Sequence, residues 1–65
     1  MNKFPFRHDD VIQHVSRRGD RFIVRLVDEL KFEAYAENLD GAHGTRVINV
    51  DNWVRLGVYH NGEIR

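Results

Sequence analysis

Cysteine is missing from this 65-residue chain, so no disulfide can brace it and no thiolate can hold zinc. A cysteine-free composition suits a reducing compartment, and the cytoplasm is the expected location. Proline occurs once, as Pro5, where it keeps the preceding residue extended and marks only the first few positions. Long apolar runs are absent: Phe22-Ile23-Val24 and Tyr35 with its flanking alanines fall far short of a membrane span. The opening residues, Met-Asn-Lys-Phe-Pro-Phe-Arg-His, hold no apolar stretch of signal-peptide length. Excess charge of one sign is lacking too. Ten basic residues balance ten acidic ones, which speaks against indiscriminate adhesion to nucleic acid.

What remains is one small domain. A single core of this size supplies only about 3–5 kcal/mol, so such chains lean on disulfides, a metal or self-association. The four histidines (His8, His14, His43 and His60) show no metal-ligand spacing, no cofactor is expected, and self-association is the support left over. Charge is distributed unevenly. Residues 1–25 carry six cations against three acids, a net +3, whereas residues 26–65 carry four against seven, a net −3. That asymmetry suits a basic rim on a neutral body, or a head-to-tail contact between protomers.

Read along the chain, Asp9-Asp10 offers N-cap chemistry, Val11, Ile12 and Val15 share one helical face, and Arg17-Arg18 with Gly19 supply a C-terminal signal. These features predict a helix of about ten residues lying on a sheet. From Arg21 the period changes to two. Phe22, Val24 and Leu26 alternate with Ile23, Arg25 and Val27 in a β-branched run, and Asp28-Glu29 breaks it. Residues 30–37 alternate again, with Leu30, Phe32, Ala34 and Ala36 on the inward face, although their Leu, Lys, Glu and Ala content also suits a helix. Asp40-Gly41-Ala42-His43-Gly44 reads as a loop, residues 45–50 as a third strand and Trp53–Tyr59 as a fourth with a bend at Gly57. Asn61-Gly62 is a hairpin turn signal, leaving room for only a very short fifth strand. The predicted fold is mainly β: a short N-terminal α-helix followed by a small, strongly bent antiparallel β-barrel of SH3-like or OB-like outline.

The order of helix, basic helix end, strand, turn and bent strand resembles bacterial Hfq and the wider Sm-like proteins. In Hfq a short helix ends in arginines and leads into a strand reading roughly Ile-Tyr-Leu-Val-Asn-Gly-Ile-Lys-Leu-x-Gly. Val24-Arg25-Leu26-Val27-Asp28-Glu29-Leu30-Lys31-Phe32-Glu33-Ala34 fits that stretch without a gap, and the match runs on to Leu39-Asp40 and back through Arg17 to Asp9. About half the chain is covered. The sequence departs from the family where Glu29 and Ala34 replace glycines and Arg25 replaces a base-stacking Tyr, and Tyr59-His60 echoes only part of the Tyr-Lys-His motif. The resemblance implies an Sm-like ring, six- or seven-fold, that binds single-stranded RNA.

On that reading Arg17 and Arg18, with Arg21, contact phosphates at the rim, contacts that set affinity without reading sequence. The plain alternative is a solvated helix end stabilised by the helix dipole. Arg25 and Lys31, beside Tyr35, would offer a cation next to a stacking ring, while ordinary cross-strand pairing of Arg25 with Glu33 is the competing role. Tyr59 and His60 would meet a base edge near the pore, or simply end a strand. Trp53 is a core anchor or the centre of a protein contact. For catalysis little is visible: Asp40 with His43 is a conceivable dyad, but nothing is spaced to join it, and no enzyme is expected. Two functions therefore stand side by side, a ring-forming binder of single-stranded RNA and a small phage-type or accessory protein-interaction module without nucleic-acid binding.

Overall fold

The structure, a computed structural model, describes residues 3–41 and 43–65. Its elements are β1 (Asp10–His14), β2 (Arg21–Asp28), β3 (Glu33–Asn38), β4 (Gly44–Val47), a 3-10 turn (Val50–Asn52), β5 (Trp53–His60) and β6 (Glu63–Ile64). All pairings are antiparallel, and the spatial order is β4-β3-β2-β1-β5-β6. The mainly β, antiparallel expectation holds. Barrel closure does not: β4 and β6 remain edge strands, and among the described residues neither outer edge is paired.

The expected N-terminal helix is absent, and its residues form the central strand of the sheet. Val11 and Ile12 are both fully buried, one on each face, with Val11 opposite Ile23 and Ile12 opposite Phe22. Two adjacent apolar residues fit a helical stripe, but they fit equally a strand covered on both faces. Both are β-branched, and over five residues the strand gains ladders on two sides, with β2 and with β5. The aspartates expected to cap a helix serve other ends. Asp9 takes a left-handed backbone (φ 75°), which Asp tolerates. Its N–H donates to the Val24 carbonyl at 2.9 Å and its carbonyl accepts from the Tyr59 N–H at 2.8 Å. The buried Asp10 carboxylate accepts the Arg7 N–H at 2.8 Å and pairs with the Arg55 guanidinium at 3.1 Å.

Two bulges bend the sheet. Between Val24 and Leu26 the register with β3 slips at Arg25, so that Val24 faces Ala36 and Val27 faces Ala34. Alternation read from sequence put Leu26 inside; the slip turns it outward, 69% exposed, and brings Val27 against the core instead. The second slip lies beside Gly57, between Arg55 and the Val11–Gly57 pair. A Cβ at Gly57 would strike the Arg65 carbonyl, so only glycine lets the last residues fold back across β5. The Asn61-Gly62 turn forms as expected, both residues at positive φ (50° and 82°), joining β5 to the two-residue β6.

The core gathers Ile12, Phe22, Val24, Ala34, Ala36 and Val47. Among the described residues no α-helix covers it. Phe4 and Phe6 do, buried on either side of a bend at Pro5. Their rings stand edge-on at 5.8 Å, and Phe4 meets Phe32 at 5.4 Å. Residues 29–32 make the turn between β2 and β3, so Leu30, Lys31 and Phe32 lie outside the strand predicted there. Phe32 has a left-handed backbone (φ 53°) and still packs against the core. Residues 48 and 49 fall beyond β4, and Ala42 of the glycine-rich loop lies outside the described residues.

Candidate functional site

Antiparallel registers decide which loops meet. The β1–β2 turn, the β3–β4 loop and the 3-10 turn all lie at one end of the sheet, and the β2–β3 and β5–β6 turns lie at the other. At the first end, backbone bonds knit the loops together: the Val15 N–H donates to the Asn52 carbonyl (2.8 Å), that of Leu39 to Arg21 (3.0 Å) and that of Asn38 to His43 (2.7 Å). Between them opens a cleft of about 660 Å³ whose lining includes His14, Arg17, Asn38, His43, Asn52 and Trp53.

Trp53 opens β5 directly opposite His14, and the two rings meet edge-on at 5.1 Å; Phe22 backs the indole from the core at 5.6 Å. The His14 ring is oriented by its own turn. Its Nδ1 lies 3.2 Å from the Ser16 N–H and 2.8 Å from Ser16 Oγ. A backbone N–H can only donate, so Nδ1 is the acceptor and the neutral ring carries its proton on Nε2. The Asn38 side-chain oxygen accepts the Asp40 N–H at 3.0 Å, which leaves its NH2 group to donate elsewhere. Asp20, Asp40, Arg17 and Arg46 also reach the lining, so formal charge within the cleft is balanced. The cleft thus combines an indole, two imidazoles, amides, two guanidinium groups and two carboxylates. Such a set suits a flat, polar, hydrogen-bonding ring better than a run of phosphates.

Comparison with protein-family models, curated proteins and solved structures found no match.

The six residues singled out for RNA contact do not gather in one place. Arg17 and Arg18 are exposed in the β1–β2 turn, Arg17 at the cleft; the Arg18 carbonyl accepts from the Gln13 side chain. Lys31 and His60 are exposed in or beside turns at the opposite end, and Tyr59 is half-buried in β5 next to His60. Arg25 sits at the β2 bulge within reach of two carboxylates, Asp9 at 3.5 Å and Glu37 at 3.7 Å. Glu33, the partner expected for Arg25, lies opposite Asp28 and instead holds Arg46 of the adjoining strand at 2.9 Å. Arg25 and Tyr59 do come to one neighbourhood, through Asp9. Asp40 and His43 share a loop and line the same cleft. Among the described residues no group of histidines and acids could hold a metal ion, and no helix is long and apolar enough to cross a membrane.

Sequence reasoning missed the amides and His14. In the sequence Val11, Ile12 and Val15 read as a helical stripe that does not include His14; with residues 10–14 a strand, His14 stands beside Trp53. The signal was present in the tight run His14-Val15-Ser16, which suits a side-chain-capped turn better than a helix interior.

Proposed function

We propose that this chain is a binding module for single-stranded RNA, with a base held in the cleft at the β1–β2 end. The observation that supports this reading is the convergence of Trp53, His14, Arg17 and Asn38 on one cavity. An aromatic wall offers stacking, worth about 1–3 kcal/mol per base, and amide and imidazole donors can read a base edge. In a duplex each base face is covered by its stacked neighbours and cannot lie against the indole, so single strands are the matching ligand. The partial likeness to Sm-like proteins points to the same class. Under this proposal the open sheet stands for the small bent barrel of that family. A ring of six or seven copies would close by pairing β4 of one copy with the β6 edge of the next, in the cytoplasm.

Trp53 is the single tryptophan of the chain, so its fluorescence reports the cleft directly. Titration with uridine-rich and adenine-rich 10-mers at about 50 mM salt should change the emission, and duplex DNA should not. Arg17→Ala should weaken binding by about fivefold, equivalent to roughly 1 kcal/mol. Lys31→Ala and His60→Ala, at the other end of the sheet, should leave it unchanged. Flat titrations with every single strand would remove the proposed function, and dependence on Lys31 rather than Arg17 would move the site.

A further inference from the structure

The opposite end of the sheet carries a surface of different character. Leu26, Leu30 and Tyr35, exposed to 69%, 100% and 40%, line a groove of about 860 Å³ beside the β2–β3 turn. Leu30 contributes nothing to the core, and grouped apolar side chains of this kind mark interaction sites more often than they serve folding. The groove is firmly built. The Asp28 carboxylate accepts the Lys31 N–H at 3.2 Å, the Phe32 N–H donates to the Glu29 carbonyl at 3.3 Å, and the Phe32 ring anchors the turn on Phe4. Tyr35 lies flat across β4, in space that exists because residue 44 is glycine: a Cβ there would collide with the tyrosine hydroxyl.

The rim decides the occupant. Asp28, Glu29 and Glu33 supply three carboxylates to the lining, and Arg46, bound to Glu33, supplies the one cation. A second copy docked about a two-fold axis would set this acidic rim against itself. We propose that the groove docks a short, basic and apolar segment of another protein, its apolar side chains entering between Leu26, Leu30 and Tyr35 and its cations meeting Asp28 and Glu29. This groove shares only Arg46 with the cleft proposed for RNA, and it is tested independently of that cleft.

The test uses the full chain and two synthetic 10-residue peptides, one alternating leucine with arginine and one alternating leucine with glutamate. Isothermal titration should show binding of the arginine peptide and none of the glutamate peptide. Leu30→Ser and Glu29→Lys should each reduce affinity at least tenfold. Leu30 is fully exposed and Glu29 is exposed, so unchanged melting temperatures will show that the variants remain folded. Arg17→Ala, at the far end, should have no effect. Equal binding of the two peptides, or unaltered affinity in Leu30→Ser, would overturn the proposal. So would self-association of the wild-type chain that Leu30→Ser abolishes, because the occupant would then be a second copy.

Discussion

Phe32 shows how far a single side chain can set its own backbone against its packing. A left-handed conformation costs a non-glycine residue about 1–2 kcal/mol, and Phe32 accepts that cost while its ring joins Phe4 on the core. Two truncations separate the contributions. Phe32→Ala loses the ring and keeps the strain; Phe32→Gly loses the ring and relieves it. Urea denaturation should therefore show Phe32→Gly about 1 kcal/mol more stable than Phe32→Ala, a reversal of the usual order. Equal stabilities would mean that the backbone at this position is not left-handed. In the sequence Phe32 reads as an inward strand residue, which is right about burial and wrong about the element. The aromatic pair Phe4 and Phe6 was not read as core, because no period marks a segment that bends at Pro5. Positions shifted by a bulge were not readable. Nothing in Val24-Arg25-Leu26 marks where a strand will slip, so simple alternation through this run fails at Leu26, which is exposed.

Among the elements, β1 carries the largest difference between sequence and structure. Residues 10–18 hold good end signals for a helix, but the run between them has only three apolar positions, two of them adjacent. Local pattern does not choose between a narrow helical stripe and a short strand buried on both faces, and tertiary context decided it through the two ladders that β1 completes. The choice can be measured. In a helix Ile12 and Val15 would share the buried stripe, and truncating either would be costly. In the sheet Ile12 is fully buried and Val15 is 48% exposed. Ile12→Ala should cost about 2–5 kcal/mol in chemical denaturation and Val15→Ala less than about 0.5 kcal/mol. Similar losses at both positions would favour the helix. The remaining strands were legible because their period is two over four to eight residues, and the Asn61-Gly62 hairpin because its turn demands positive φ twice.

For the whole molecule the questions are how a small sheet with two open edges is stabilised and what it assembles into. A Cα radius of gyration of 11.0 Å is close to the roughly 10.7 Å expected for a folded chain of this length. Compactness is thus reached without closing the barrel, the aromatic N-terminal segment taking the place of a covering helix. The ring proposed above makes one thermodynamic demand. If copies join through their edges, the melting temperature should rise by on the order of 5–10 °C over a hundredfold increase in protein concentration. A melt independent of concentration, with a monomer mass by light scattering, would end the ring while leaving both proposed surfaces to be tested on a monomer.

The position of β1 has a consequence for folding. It lies in the middle of the sheet, between β2, its neighbour in sequence, and β5, about forty residues further along. A sheet formed by β1 and β2 alone would leave one margin of β1 unpaired. The central ladder is complete only when β5 joins it, so this topology demands contacts distant in sequence, which slow folding relative to a chain of local contacts.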